Sequence, residues 1–167
     1  ARRLGAAIIS TNASRHLREH LANKDKTYAP LVYCWRGGMR SNSLAQILRS
    51  VGWRARLLDG GYKAFRSFVS LDTERILSNP DFQLSILAGQ TGVAKTRLLQ
   101  TLRDKGAQII DLEGIANHRG SVLGLEPNSK QPSQKHFETC LWHTLSQIDS
   151  SRSIFIEAES NRIGGLH

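Results

Sequence analysis

Apolar and polar positions along the chain alternate between short apolar runs and longer amphipathic stretches. Apolar residues recur at helical spacing in five stretches, which predicts helices over 4–22, 41–51, 62–69, 96–105 and 132–148. The short apolar runs predict strands over 31–33, 54–58, 82–88, 108–110 and 153–156. Strands that alternate with helices in this way are typical of an α/β fold with parallel sheets.

Two segments interrupt the alternation of strands and helices, and they predict a domain boundary and a long loop. Residues 78–81 have the sequence Ser-Asn-Pro-Asp and predict a boundary between one domain over 1–75 and a second over 76–167. The strand over 82–88 is apolar enough to be buried within a parallel sheet. The stretch over 114–131 is rich in Gly, Asn and Ser and predicts a long loop, a kind of segment that more often has a function than not.

The net charge of +9 lies entirely in the first half of the chain. Residues 1–80 carry 14 Lys and Arg against 5 Asp and Glu, whereas residues 81–167 carry 9 of each kind. This asymmetry favours a polyanionic partner such as a nucleic acid, but a merely soluble basic surface explains it equally well. Two cysteines in dissimilar contexts predict a reducing cytoplasm. No apolar run approaches the roughly 18 residues that span a bilayer, so no membrane contact is predicted.

Cys34 directly follows the apolar run over 31–33, which places it at the end of a buried strand. Five residues separate it from Arg40, and such a loop can turn its backbone N–H groups inward around a tetrahedral anion. Gly37 and Gly38 supply the backbone freedom that this turn requires. The sequence therefore predicts a nucleophilic cysteine within an anion-binding loop.

The backbone N–H groups that wrap around Cys34, together with positive charge, are expected to lower the pKa of the thiol. The charge comes from Arg36, Arg40 and the N-terminus of the next helix, which Ser41 is expected to cap. The loop consists of Trp35, Arg36, Gly37, Gly38, Met39 and Arg40. Its spacing suits two chemistries, the persulfide of a sulfurtransferase and the phosphoryl group of a phosphatase. A phosphatase also needs a general acid for its leaving group, and the sequence offers no obvious one.

A second anion-binding pattern follows the predicted strand over 82–88. It has the P-loop spacing of Gly, four residues, Gly, Lys and Ser/Thr, except that Ala94 occupies the position of the second glycine. Lys95 is expected to contact a terminal phosphate and Thr96 a phosphate oxygen or a metal ion, while the methyl group of Ala94 is expected to weaken binding. The predicted loop consists of Gly89, Gln90, Thr91, Gly92, Val93, Ala94, Lys95 and Thr96.

Polar residues near the ends of two later strands add further candidates. Glu157 closes a predicted strand, where an acidic residue can assist a nucleotide site. His118 and Arg119 lie near Asp111 and Glu113 on the predicted loop. They are expected to reach a substrate phosphate or position a nucleophile, or else to be solvated. The histidines lack partners at metal-ligand spacing, so no metal site is predicted.

Together these segments resemble the tRNA 2-selenouridine synthase family, in which a rhodanese domain precedes a P-loop domain. The resemblance is carried by residues 33–41, 58–63, 89–96, 111–121, 131–135 and 156–160. The segments over 111–121 and 131–135 are the most specific, because other rhodaneses and P-loop proteins do not share them. The resemblance implies an α/β chain with the C-terminal part of a rhodanese-like domain, followed by the start of a P-loop parallel-sheet domain.

The resemblance also implies a function in the cytoplasm. Members of the family replace the sulfur of 2-thiouridine at the tRNA wobble position with selenium from selenophosphate, through an S-geranyl intermediate made from geranyl diphosphate. The P-loop would hold the prenyl diphosphate, a role compatible with Mg²⁺, and the Cys34 loop would serve the selenium step. No tightly bound cofactor is implied. The implied partners are tRNA and a selenophosphate-producing enzyme.

Compared with the family, the chain begins after the first rhodanese strands and ends soon after Glu159. This predicts a fragment of both domains with low stability and weak activity. Two alternatives remain open, and the sequence indicates no oligomeric state. One alternative is a Cys-dependent phosphatase or sulfurtransferase with a rhodanese-like fold, and the other is a non-catalytic RNA- or nucleotide-binding remnant.

Overall fold

The computed structural model of the chain describes residues 2–90, 93–118, 130–158, 163, 165 and 166. Contacts divide the chain into two compact units, Ala1–Ser67 and Phe68–His167. The predicted domains over 1–75 and 76–167 stay a prediction. The strands that the structure describes pair in parallel, and helices connect them along the chain, which confirms the predicted α/β class.

The first unit forms around a two-stranded parallel sheet. Its elements are α1 (Arg2–Glu19), β1 (Leu31–Val32), α2 (Met39–Ser50), β2 (Arg56–Leu57) and the first residues of α3 (Gly61–Leu77). Its core cluster consists of the buried residues Val32, Ala45, Leu48, Trp53 and Ala55. The indole N–H of Trp53 donates to the carbonyl oxygen of Asp25 at 2.8 Å, so this large ring is buried with its polar atom satisfied.

The second unit holds a three-stranded parallel sheet. Its further elements are β3 (Leu84–Leu87), α4 (Lys95–Asp104), β4 (Gln108–Ile110), α5 (Leu112–Ala116), α6 (Gln134–Ser146) and β5 (Ile154–Glu157). The strand order is β3-β5-β4, and a core cluster of Ile110, Leu145 and Ile154 packs against this sheet. Because the strands are parallel, the segments that follow β3, β4 and β5 meet at one edge of the sheet, where α/β proteins bind ligands.

All five predicted helices differ from their predicted bounds at one end or both, and two of these differences bear on the Cys34 loop and on the core of the second unit. α2 begins at Met39 with Gly38 as its N-cap, so Ser41 does not cap the helix as predicted but lies in its first turn. α3 continues to Leu77 rather than ending near residue 69, because its later turns also have an apolar side, and Ile76 packs against the core cluster of the second unit. The packing of Ile76, which local sequence does not show, accounts for the later end of α3.

Two further differences lie in the second unit. Among the strands that the structure describes, β3 lies at one edge of its sheet rather than buried within it as its apolar sequence predicts, and Leu84 and Ile86 are 41% and 62% exposed. Residues 114–116 belong to α5 rather than to the predicted loop, because the Asp111 carboxylate accepts a hydrogen bond from the Gly114 N–H and caps that helix. Among the helices that the structure describes, none is long and apolar enough to cross a membrane.

Candidate anion-binding sites

Cys34 lies in the loop between β1 and α2, as its sequence position predicts. The loop follows the buried Val32 and ends at Gly38. Gly37 has a φ angle of 66°, a left-handed conformation that favours glycine. Met39 begins α2 and is 76% exposed. Cys34 itself is half-buried, so its thiol lies at the surface end of the small sheet.

Hydrogen bonds converge on the sulfur of Cys34. The Gly38 N–H donates to Cys34 Sγ at 3.1 Å, and Ser41 Oγ lies 3.2 Å from the same atom. The Ser41 hydroxyl and the backbone N–H groups of Ser41, Gly38 and Arg36 lower the pKa of Cys34 from 9.0 to about 6, against an opposing contribution from desolvation. At neutral pH most Cys34 side chains are therefore ionised to the thiolate, which is the nucleophilic form.

The leading cause of this lowered pKa, the Ser41 hydroxyl, was not predicted, whereas backbone N–H groups contribute as predicted. The side chains of Arg36 and Arg40 are exposed and are not among the causes of the shift. Ser41 is only 2% exposed, and its Oγ also lies 3.0 Å from the Gly38 carbonyl oxygen, a second acceptor for the hydroxyl proton. The sequence predicts a capping role for Ser41 and does not predict its contact with the thiol. Because α2 starts at Met39, Ser41 lies in its first turn and faces the loop. The contact with the thiol would therefore have been predictable only from the correct helix start.

The start of α3 supports the Cys34 loop from its backbone side. The Tyr62 N–H donates to the carbonyl oxygen of Cys34, and the Lys63 N–H donates to that of Trp35, each at 2.9 Å. Gly61 has a φ angle of 62°, and a β-carbon on it would overlap the Cys34 carbonyl oxygen. The rings of Tyr62 and Trp35 lie 5.6 Å apart between centroids. The segment over 58–63 thus positions the nucleophile, a role that the sequence analysis did not give it.

The predicted phosphate loop lies between β3 and α4, the strand-to-helix context that a P-loop requires. Thr91 and Gly92 lie outside the described residues. Ala94 is the N-cap of α4 and has a φ angle of 62°, so the departure from the P-loop pattern falls at a left-handed position. A β-carbon is strained in that conformation, which explains why glycine is usual there.

Lys95 is turned back onto the loop that precedes it. Its Nζ donates to the carbonyl oxygens of Gly89 and Gln90, at 3.0 and 3.5 Å. Val93 is 57% exposed, and its Cγ2 would lie only 2.8 Å from a β-carbon at Gly89. A phosphate on this loop would therefore compete with backbone carbonyls for the Lys95 ammonium.

Thr96, Glu113 and Glu157 meet at the carboxyl edge of the three-stranded sheet. Thr96 Oγ1 lies 2.9 Å from Glu113 Oε2 and 3.1 Å from Glu157 Oε2. The Glu113 N–H donates to Glu157 Oε1 at 3.3 Å. Glu157 is 2% exposed, and this burial raises its pKa, as do the charges of Glu113 and Asp111. The structure thus brings together three residues that the sequence analysis named in separate segments.

A cavity of about 390 Å³ opens beside these side chains. It is lined by Thr96, Gln100, Asp111, Glu113, Gly114, Asn117 and His118. His118 is 7% exposed, and its Nδ1 has no hydrogen-bond partner within the described structure. Because an unpaired buried polar atom costs free energy, this nitrogen is suited to a ligand in the cavity. Arg119, predicted beside His118, lies outside the described residues.

The carboxylates and histidine do not form a recognisable metal centre. Over the ranges that the structure describes, no group of three or more His, Cys, Asp or Glu is arranged to hold a metal ion. Two carboxylates and the Thr96 hydroxyl nevertheless offer the oxygen ligands that Mg²⁺ takes together with water and phosphate.

Comparisons with known proteins match both units. Residues 82–167 match the family model described as the tRNA 2-selenouridine synthase AAA domain, and residues 4–68 match the rhodanese-like domain. The tRNA 2-selenouridine synthase of Alcanivorax borkumensis is 42% identical over 138 residues, which cover 81% of this chain and 36% of that protein. The enzyme of the same name from Psychromonas ingrahamii is 34% identical over 98% of this chain and 43% of its own length. The chain thus spans less than half the length of these relatives. No solved structure matches it.

Proposed function

Because the chain belongs to the tRNA 2-selenouridine synthase family, we propose that it acts as part of a tRNA-modifying transferase. The reaction replaces the sulfur of wobble 2-thiouridine with selenium from selenophosphate, through an S-geranyl intermediate made from geranyl diphosphate. One structural observation supports this proposal in addition to the family membership. The chain contains both a loop with a thiolate at Cys34 and a phosphate loop that ends at Thr96.

The phosphate loop is the proposed site of geranyl transfer. The thiouridine sulfur attacks C1 of geranyl diphosphate, the C–O bond breaks, diphosphate leaves and the base loses its N3 proton. Lys95 and the N-terminus of α4 would stabilise the charge that develops on the diphosphate. Thr96, Glu113 and Glu157 would hold a divalent cation beside it, and Nδ1 of His118 offers a further hydrogen-bonding group.

The Cys34 loop is the proposed site of the selenium step. Its inward N–H groups and the N-terminus of α2 suit a tetrahedral anion of the size of selenophosphate. Alkylation of the sulfur prepares this step chemically, because a geranyl thiolate leaves C2 of the base more easily than bare sulfide. The two loops thus supply successive reactions on the same nucleoside.

The test is a mass analysis of nucleosides after thiolated tRNA is incubated with the protein, geranyl diphosphate and selenophosphate. We expect Cys34→Ser to keep geranylation and lose selenation, and Lys95→Ala to lose geranylation. Cys140→Ser and Lys105→Ala are the matched controls and should keep both products. Loss of geranylation in a folded Cys34→Ser protein would contradict this division.

The same experiment separates the alternative functions. Tight tRNA binding without any change in nucleoside mass would indicate a non-catalytic RNA-binding remnant. Phosphate release from an aryl phosphate that depends on Cys34, with unmodified tRNA, would indicate a phosphatase instead.

A further inference from the structure

We propose that Cys34 cleaves the phosphorus–selenium bond of selenophosphate by attacking phosphorus, and that Ser41 stabilises the thiolate when it departs again. This inference rests on the proposed function, from which it takes selenophosphate as the substrate. It specifies the role of the cysteine, which the proposed function leaves undefined.

Attack on phosphorus transfers the phosphoryl group without a change in the oxidation state of either phosphorus or selenium. The thiolate forms an S–P bond, the P–Se bond breaks, and hydrogen selenide anion leaves, so phosphorus and selenium both keep their oxidation states. Water then cleaves the S–P bond, which releases inorganic phosphate and returns the thiolate. Attack on selenium would instead form an S–Se bond and expel phosphorus as phosphite, so phosphorus would be reduced by two electrons and selenium oxidised by two. The selenide set free by the first route is a nucleophile for C2 of the alkylated base.

The loop around Cys34 suits the phosphoryl group that this route transfers. The Gly38 N–H already points at Cys34 Sγ, and α2 starts at Met39 directly beyond it. A phosphoryl group on the sulfur would place its oxygens at this helix N-terminus, where backbone N–H groups and the helix dipole favour negative charge. Arg40 lies in the first turn of the same helix with its side chain exposed, and can contact those oxygens.

Ser41 has one hydroxyl proton and two acceptors within reach. The Gly38 carbonyl oxygen lies 3.0 Å from Ser41 Oγ, and Cys34 Sγ lies 3.2 Å from it. A sulfur bonded to phosphorus is a poor acceptor, so the hydroxyl then donates to the carbonyl. As the S–P bond breaks, charge develops on the sulfur, and a rotation of the hydroxyl alone directs the proton to it. Because Ser41 is 2% exposed, water cannot readily take over this role.

This geometry predicts that Ser41 acts mainly on the second half-reaction. A hydrogen bond that forms only as the thiolate leaves lowers the barrier to S–P cleavage without stabilising the phosphocysteine. Loss of a hydrogen bond to a charged group should slow this step by roughly 10- to 150-fold. Formation of the phosphocysteine should be slowed less, so the intermediate should accumulate in Ser41→Ala.

The experiment mixes the protein with selenophosphate in the absence of tRNA, quenches with base and measures intact mass and released phosphorus species. We expect a phosphoryl adduct on Cys34 that persists in Ser41→Ala, is shorter-lived in Ser41→Thr than in Ser41→Ala, turns over normally in Cys140→Ser, and is absent in Cys34→Ser. The phosphorus product should be phosphate. An adduct with the mass of a selenium atom, accompanied by phosphite, would overturn the proposal.

The remaining outcomes separate this inference from the proposed function. If tRNA is selenated but no phosphoryl adduct forms even in Ser41→Ala, attack on phosphorus is wrong and the tRNA function stands. If the adduct forms and releases phosphate but tRNA is never modified, the phosphoryl chemistry stands and the tRNA function is wrong. Equal adduct lifetimes in the original protein and Ser41→Ala would overturn the role of Ser41.

Discussion

The two anion-binding loops lie in similar places but are prepared to different degrees. Each lies between a parallel strand and the N-terminus of a helix. At Cys34, the Gly38 N–H and the Ser41 hydroxyl already converge on the reactive sulfur. At the phosphate loop, the Lys95 ammonium instead donates to the backbone carbonyl oxygen of Gly89. A nucleophile can thus be prepared by the fold alone, whereas a phosphate loop of this kind must be rearranged by its ligand.

The largest expected effect comes from Gly61→Ala, which tests whether the start of α3 prepares the Cys34 loop. The new β-carbon would overlap the Cys34 carbonyl oxygen at a left-handed φ angle, so we expect a loss of about 3 kcal/mol or more in the free energy of unfolding. Thermal or urea unfolding measures it. Gly5→Ala is the control, because nothing lies within 4 Å of a β-carbon there, and it should stabilise α1 by about 0.5–1 kcal/mol. Similar effects at both glycines would refute the support role.

Lys95→Ala tests whether ligand binding by the phosphate loop depends on the Lys95 ammonium. The loss of a charge-assisted contact should weaken the binding of geranyl diphosphate by about 1.5–3 kcal/mol, as measured by calorimetry. Lys105→Ala, at an exposed lysine just beyond α4, should bind normally. Alkylation of Cys34 should be unchanged in both variants, and a slower reaction in Lys95→Ala would mean that the loops are not independent.

Glu157→Gln tests whether the ionised Glu157 carboxylate beside the phosphate loop destabilises the folded chain. The pKa of Glu157 is raised in the folded chain, so its ionised form opposes folding, and stability falls as the pH rises through the raised value. The glutamine variant should therefore be more stable at pH 7 by about 1 kcal/mol, a typical size for one substitution. The gain should shrink as the pH falls from the raised pKa of the folded chain toward the ordinary value of 4.5, and should be lost below that value. Thermal unfolding at several pH values measures this, with the exposed Glu74→Gln as a control that shows no such gain.

The smallest expected effect is that of Ala94→Gly. Relief of the left-handed alanine should exceed the entropy that glycine adds to the unfolded chain, for a net gain of about 0.5–1 kcal/mol. The variant should also bind geranyl diphosphate more tightly, because the methyl group no longer faces the phosphate position. A net loss of stability in urea unfolding would show that Ala94 is not strained in solution.

Local sequence was sufficient for features whose parts adjoin one another in the chain. The strand before Cys34, the helix after it and the glycine at the left-handed position 37 follow from neighbouring residues, and the structure contains all three. The predicted parallel sheet also directed attention to polar residues at the carboxyl ends of its strands, and Asp111 directly follows β4 while Glu157 is the last residue of β5.

Features that depend on distant parts of the chain were not predictable in the same way. The apolar sequence of β3 does not reveal that it lies at a sheet edge, because strand order is set by the whole unit. The role of Ser41 required the start of α2 to within two residues, a precision that local patterns do not give. The contact of Thr96 with both Glu113 and Glu157 joins segments 17 and 61 residues away along the chain.

The hydrogen bonds of the folded loop hold Cys34 as a thiolate at neutral pH, and the pH dependence of its alkylation measures this. The measurement uses a Cys140→Ser background, so that a single thiol reacts with iodoacetamide. We expect a rate that rises with a midpoint at a pH of about 6, and a midpoint moved upward in Ser41→Ala. A midpoint near the ordinary value of 9.0, unchanged by Ser41→Ala, would contradict it.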